Sequence, residues 1–534
     1  QELFRRAERI ERLSRKRDAM VAYQRAMRGD GESFRAKARE RLILLEKQFA
    51  EELAKRMKDA FERTDDVGAF ATLAELRQLA KESTSAEVVE YVTHIELPFS
   101  VKLDSRFSTL LVRRPGKPEI LLAAPEGTTG AWTQVIRYPT DQAWTVDVRR
   151  AGYTSQSFVL SAEAKRSQAI IVLKRGPLWQ TDLNAIPTTV PVASGKFLLI
   201  GTNKSTLEVI DPGLGTARPI TFTDSVSEIA APPFVHQNRA YTVIDDKITA
   251  IDIDTRAVIW TWPALGTMIQ PGFYPQSLWA QEHELIQGST LVIAGTTSGK
   301  LLALGATGER VDHYPVVALE SSMTGSPLVD HFNNNSTLYI PAGQQILAFD
   351  ATSGSERSPL RKLFAVPTRG DVVGRLVRSV VGKQPAILAT DASGIVLALD
   401  TDIDADRKVI ASWSLEGSPS HGVTVNPQAP IAYVAVSEGR VLFLDLANPG
   451  QLLKRFPPHG SLGPLPGPPV VGRNGVYIAD ANGVLYCIDK VSGAERWRAD
   501  LGSPISTGIL AMYGRIFVPT RGGSLLCFEE GDLD

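Results

Sequence analysis

Four aspartates alternate along one short stretch: Asp400, Asp402, Asp404 and Asp406. In a loop, carboxylates at that spacing can converge on one hard cation such as Ca²⁺, which takes only oxygen ligands. An EF-hand loop would also need Gly at 405 and Glu at 411. The chain has Ala405 and Ala411. The stretch therefore reads either as a solvated charged loop or as a candidate Ca²⁺ loop. The seven histidines, from His94 to His459, nowhere pair at H-x-x-x-H or H-x-H spacing. Gly-x-Ser-x-Gly, Walker A and protein-kinase signature sets do not occur. No catalytic residue is assigned on these grounds.

Other aspartates follow a rule that repeats. Residues 487–497 read Cys-Ile-Asp-Lys-Val-Ser-Gly-Ala-Glu-Arg-Trp, so Asp489, Gly493 and Trp497 stand four apart. Asp350 and Gly354 repeat the first interval, as do Asp211 and Gly215. Asp252 and Trp260 repeat the whole interval, with Arg256 where the glycine would stand. An Asp ending an apolar strand can accept backbone N–H bonds two or three residues on and so set a turn. The Gly supplies the positive φ that reverses the chain, and the Trp opens the outgoing strand with a large apolar surface.

Just upstream of each such Asp lie two short apolar strands joined by a tight turn. Five copies carry a turn glycine: 291–304, 386–399, 432–444, 476–488 and 516–528, with Gly299, Gly394, Gly439, Gly483 and Gly523. Three lack it: 197–210, 241–251 and 338–349. Val, Ile, Leu and Tyr dominate these runs, which is strand composition. Eight copies at a period of roughly 45 residues mark one small unit stacked many times. Two strands before the Asp, one after it and one leading in make a four-stranded sheet, the usual propeller blade. The last copy stops near Phe528 without an outgoing strand, while Trp179 stands upstream of the first copy without a hairpin before it. The segment around Trp179 is expected to complete the final sheet and remove two open edges.

On these repeats, residues 176–534 resemble the PQQ-like (BamB-like) β-propeller family, whose repeats carry an Ala-Leu-Asp-x-x-x-Gly-x-x-x-Trp phrase and form eight blades. That family holds quinoprotein dehydrogenases as well as non-enzymatic outer-membrane assembly lipoproteins, so the resemblance implies a fold more than an activity. The dehydrogenase branch uses a vicinal Cys-Cys disulfide against its quinone. The two cysteines here, Cys487 and Cys527, are far apart in the chain, and no quinone-binding residue carries over. PQQ is not expected.

Residues 1–92 differ in composition, being rich in Glu, Arg, Lys, Ala and Leu. Apolar residues recur at helical spacing in Ala19, Met20, Ala22, Tyr23, Ala26 and Met27 and again in Leu42, Leu44, Leu45, Phe49 and Leu53. Gly29-Asp-Gly31 and Thr64-Asp-Asp-Val-Gly68 break the helices. The segments 18–27 and 34–46 resemble a tetratricopeptide-like hairpin, which implies a docking groove or a spacer. From about 97 to 174 the pattern turns to seven short alternating strands, the pattern of a small sandwich. Val146-Asp-Val-Arg-Arg-Ala-Gly-Tyr153 with its flanking strands resembles the PEGA module of bacterial envelope proteins, although a generic immunoglobulin-like spacer reads nearly as well.

The expectation is thus a multidomain, mainly β chain. An α-helical hairpin array at 1–95 and a small β-sandwich at 96–175 precede an eight-bladed β-propeller at 176–534. Its net charge of −1 over 534 residues argues against a nucleic-acid surface. The preferred function is a non-catalytic scaffold of the bacterial cell envelope, periplasmic or otherwise extracytoplasmic, with envelope proteins as partners. Any membrane association would come through a segment upstream of Gln1. The alternatives are the extracytoplasmic sensory part of a larger membrane protein, such as a receptor-type Ser/Thr kinase, and a quinone-dependent oxidoreductase. Two connections are candidate partner loops: 271–279, with Phe273, Tyr274 and Trp279, and the Pro/Gly-rich 457–469.

Overall fold

A computed structural model describes the chain except residues 14, 30, 223–224, 226, 230, 237, 246, 333–334, 351–360 and 532–534. From 263 to 316 it describes short backbone strands, and at 236, 331–332 and 335 backbone alone. The candidate loop residues Phe273, Tyr274 and Trp279, and the turn glycines Gly299 and Gly354, lie outside the described residues. The chain divides into two compact units, with the break after Lys174.

The first unit starts with five helices: α1 (Glu2–Arg12), α2 (Lys16–Ala26), α3 (Glu32–Glu62), α4 (Asp66–Glu82) and α5 (Ala86–Thr93). Each packs on the next, and α5 also returns to α3. The glycine break at 29–31 separates α2 from α3. Asp65 caps α4 by accepting the Gly68 N–H at 2.9 Å, which satisfies one of the free donors of the first turn. The strands form two sheets. One holds β4 (Trp132–Pro139), β1 (Glu96–Leu103) and β7 (Gln168–Ile171) in that order. The other holds β3 (Ile120–Leu122), β2 (Thr109–Arg113), β5 (Trp144–Arg149) and β6 (Gln156–Leu160). Along β1 the inward residues Leu97, Phe99, Val101 and Leu103 are buried, and the residues between them are not. That period of two is what a sheet with one covered face requires. Helices and strands share one hydrophobic core, from Ala7 and Tyr23 through Leu76 to Val148 and Leu173.

In the second unit, among the described residues, eight antiparallel sheets follow one another. Seven are four-stranded, six of them laid down strand by strand; the third, at 275–318, has additional short strands. The eighth joins Leu510–Met512, Arg515–Pro519 and Ser524–Glu529 to β8 (Trp179–Asp182), a strand from the start of the unit. The register of that union matches the sheet before it. Cys487 lies opposite Trp497 in the seventh sheet, and Cys527 lies opposite Trp179 in the eighth. The edge hydrogen bonds match as well: Leu501 N–H donates to Gly483 O at 2.9 Å, and Leu183 N–H to Gly523 O at 2.8 Å.

The cores lie between sheets. Residues of the sixth and seventh sheets pack together, as do those of the seventh and eighth. A further cluster joins Phe517, Leu525 and Cys527 of the eighth sheet to Leu198, Ile200 and Ile210 of the first. Both faces of the second and third strands are therefore covered, and these strands read as continuous apolar runs. Ile431–Val436 is buried at every position. The leading strands of adjacent sheets touch one another, and glycines permit it. A Cβ on Gly325 would stand 1.7 Å from the Gly374 carbonyl oxygen, and one on Gly374 would stand 2.4 Å from the Gly422 nitrogen.

Candidate functional site

Of the recurring aspartates, Asp211, Asp252 and Asp489 occupy turns and spend their oxygens on nearby backbone. Asp489 Oδ1 accepts the N–H groups of Val491 at 3.0 Å and Ser492 at 2.8 Å, and the Ser492 hydroxyl at 2.9 Å. Its Oδ2 accepts the Arg496 guanidinium at 2.6 Å. These donors, the Ser492 N–H foremost, hold the carboxyl far below the usual carboxylate range. Asp211 accepts Gly213 N–H at 2.7 Å and Leu214 N–H at 3.1 Å. Asp252 accepts Thr255 N–H and its hydroxyl, both at 2.8 Å, and its pKa is lowered chiefly by that N–H. Asp350 is paired with Arg361 at 3.2 Å. Gly493 and Gly215 take φ of +67° and +72°, and Arg256 takes +62° in the same position.

The glycine also has a packing role. A Cβ on Gly215 would stand 2.7 Å from the Trp179 ring, and one on Gly493 would stand 3.2 Å from Phe443. The Asp turn of one sheet thus sits against an aromatic ring of the sheet before it, and the first sheet does so against the eighth. Trp179, Trp260 and Trp497 each lie 5.9 Å, centroid to centroid, from a ring in their own sheet: Phe517, Tyr241 and Tyr477 respectively. Arg515 donates to the carbonyls of Pro212 and Gly213, and Thr181 to that of Gly215, across the same junction.

The alternating acids at 400–406 are not gathered about a point. Asp400 Oδ1 accepts Asp402 N–H and Asp402 Oδ1 accepts Asp404 N–H, each at 3.0 Å. The Lys408 ammonium donates to the carbonyls of Asp402 and Ile403. A fixed cation therefore holds the carbonyl oxygens that a Ca²⁺ loop would turn inward. No group of three His, Cys, Asp or Glu is placed to hold a metal among the described residues. The Pro/Gly-rich connection is tied down on several sides. Leu462 N–H donates to Gly439 O at 2.8 Å, Pro464 O accepts Ala481 N–H at 2.8 Å, and the His421 ring meets Leu465 O at 2.9 Å. Burial pushes the His421 imidazole below its ordinary pKa. Both cysteines are buried and neither forms a disulfide, and burial pushes the Cys527 thiol up to about 12.

A second pair of acids does the same work inside the hairpins. Asp391 and Asp480 are almost fully buried. Asp391 Oδ1 accepts Ser393 N–H and Ile395 N–H, both at 3.0 Å. Asp480 Oδ1 accepts Asn482 N–H at 3.1 Å and Val484 N–H at 3.0 Å. Each stands three residues before a positive-φ glycine, Gly394 or Gly483. The signal was present in the sequence as Asp-Ala-Ser-Gly and Asp-Ala-Asn-Gly. The buried Glu208, which accepts the Thr206 hydroxyl at 3.3 Å, carries no such sequence signal; burial raises its pKa.

The first unit holds a cavity of about 940 Å³ between α3, α5 and the outer face of the β4-β1-β7 sheet. Met57, Phe61, Tyr91 and Val135 give it an apolar wall, and Glu90 and Glu96 stand among the charged lining residues.

Comparison with known proteins bears on the second unit above all. The family model described as outer membrane protein assembly factor BamB matches residues 166–402 and 392–534. An outer membrane protein assembly factor BamB from Nitrosomonas eutropha is 39% identical over 62 residues, which is 12% of this chain and 15% of that relative. The match thus spans well under two thirds of that relative's length. The structure of BamB from Moraxella catarrhalis is 15% identical and covers 66% of this chain and 99% of its own, with a TM-score of 0.48. Sqt1 from Saccharomyces cerevisiae is 10% identical and covers 67% and 100%, at 0.53. Quinohemoprotein alcohol dehydrogenase from Comamonas testosteroni is 12% identical and covers 67% and 77%, at 0.50. The last two likenesses are of fold alone, and the fold is the β-propeller.

Proposed function

The chain belongs to the family of outer membrane protein assembly factor BamB, and on that premise we propose that it is a non-catalytic scaffold of the bacterial cell envelope. Its second unit is an eight-bladed propeller whose last blade borrows β8. The matching Trp179 and Trp497 registers and the core between the eighth and first sheets support that closure. Its faces serve as rigid docking surfaces for envelope proteins, outer-membrane assembly components first among them. The helices of the first unit act as a tetratricopeptide-like docking array. The β-sandwich acts as a PEGA-like module, consistent with the Arg150 guanidinium standing 3.9 Å from the Tyr153 ring in the segment that carries that resemblance. The setting is extracytoplasmic. Among the described residues no helix is long and apolar enough to cross a membrane.

The observation that carries the reading is the use made of the repeated acids. Asp211, Asp252, Asp391, Asp480 and Asp489 all accept backbone N–H groups of their own turns. The residues that recur build a frame, and a frame displays surface. In envelope fractions, a photo-crosslinker on the propeller faces of the full chain is expected to trap outer-membrane assembly proteins. Dye reduction by the purified chain with an alcohol, PQQ and Ca²⁺ would overturn the reading in favour of an oxidoreductase.

A further inference from the structure

We propose that the groove of the first unit, between α3, α5 and the β4-β1-β7 sheet, receives an amphipathic helix with basic flanks from a partner protein. This deepens the scaffold reading and rests on it only in treating the first unit as a docking surface.

The groove is large and its wall is open to solvent where a partner would sit. Tyr91 is 44% exposed and Val135 is 49% exposed, although both are large and apolar. Met57 and Phe61, already buried by the unit itself, line the same cavity. A second hollow of about 160 Å³ continues past Glu87 and Tyr91 toward Lys47 and Ala50, so the depression extends along α3 and α5. Exposed apolar side chains gathered in a concave site mark an interaction surface better than scattered ones do.

Charge selects the occupant. Four carboxylates line the larger cavity, Glu62, Glu87, Glu90 and Glu96, against two strong cations, Lys58 and Arg137. Glu62 lies 3.9 Å from Lys58 and Glu87 lies 3.5 Å from Lys47, both as exposed pairs worth little. An acidic rim around an apolar floor favours Lys or Arg beside apolar anchors and disfavours an anionic lipid headgroup. Backbone chemistry selects the conformation. Pro98 and Ser100 of β1 and their cross-strand partners Arg137 and Val135 of β4 line the groove from one face of the sheet, so an extended peptide lying over that face would bring unmatched N–H and C=O groups onto an apolar floor. A helix satisfies its own backbone and presents anchors at i, i+3, i+4 and i+7.

The test uses the full chain and two synthetic 14-residue peptides with the same Leu positions, one with Lys and the other with Glu elsewhere, read by fluorescence anisotropy. The Lys peptide is expected to bind, with affinity falling as salt rises, and the Glu peptide to bind at least tenfold more weakly. Tyr91→Lys and the double change Glu90→Lys, Glu96→Lys each alter exposed residues, so folding should survive, which circular dichroism checks. Each should weaken the Lys peptide at least tenfold. Equal binding of both peptides, indifference to both variants in folded protein, or preferential binding of anionic phosphatidylglycerol vesicles at this groove would overturn the proposal. None of these results touches crosslinking from the propeller faces, so failure here leaves the scaffold reading to its own test.

Discussion

At the residue scale, carboxylates in this chain act on structure through where their protons sit. Asp489 is held far below its ordinary pKa by the Ser492 N–H, Arg496 and the Val491 N–H. A depressed folded pKa contributes stability that is fully present above the unfolded value and is lost as pH falls through it toward the folded one. Asp489→Ala should therefore cost about 1 kcal/mol at pH 7. The cost should shrink below about pH 4, as pH-dependent denaturant melts would show. Glu208 has the opposite sign. Burial raises its folded pKa, so ionisation is the costly state, and the penalty appears as pH rises above the unfolded value. Glu208→Gln should raise stability at neutral pH, and the gain should vanish near pH 4, about where the carboxyl is protonated in both states. A destabilised E208Q at pH 7 would show that the ionised carboxylate is stabilised beyond what the Thr206 hydroxyl supplies. Because the Lys408 ammonium already holds the carbonyls of Asp402 and Ile403, added Ca²⁺ should leave the melting temperature unchanged. A calorimetric binding heat that Asp402→Ala abolishes would refute this.

At the element scale, the hairpin is the unit that the sequence writes most clearly. The run 386–399 corresponds to strands Gln384–Asp391 and Ile395–Asp400, and 516–528 to Arg515–Pro519 and Ser524–Glu529. These strands are buried on both faces, so apolar residues run on without alternation and only the turn breaks them. In the first unit, the covered and open faces of β1 alternate instead, and the sequence alternates with them. The turn glycine has two duties, and spacing reveals only the first. Its positive φ is legible from the Asp four residues before it. Its contact with a ring from another sheet is not, because that ring lies far off in the chain. Gly215→Ala should therefore cost more than the backbone strain alone, about 2–3 kcal/mol. The same change at Gly382, with φ +61° but open space around it, should cost only the strain, about 1 kcal/mol. Equal losses at the two sites in chemical melts would discount the packing role.

At the scale of the whole molecule, the second unit depends on a strand that its own chain order leaves orphaned. β8 covers the open edge of the last hairpin and places Trp179 against Phe517. Fragment 175–534 should fold with a single cooperative transition. Fragment 184–534, shorter by nine residues, should melt earlier and aggregate, because an unpaired edge invites pairing with other chains. If both fragments melt alike, β8 is dispensable. The first unit shows the reverse relation between sequence and assembly. Its helices and strands differ so sharply in composition that they read as separate pieces, yet one hydrophobic core runs through both.

The amino-acid sequence by itself determined the local rules: the repeated hairpins, the Asp turns, the strand and helix content, and with them a propeller of the PQQ-like kind. These follow from contacts within a few residues, where spacing and side-chain type decide the outcome. Only the tertiary structure decided which distant residues meet. It spent Asp400 and Asp402 on a loop closed by Lys408, put Gly215 against Trp179, and opened a groove between α3, α5 and the sheet. Each depends on packing between segments far apart in the chain, and nothing in a linear pattern records which surfaces remain uncovered once the core has formed.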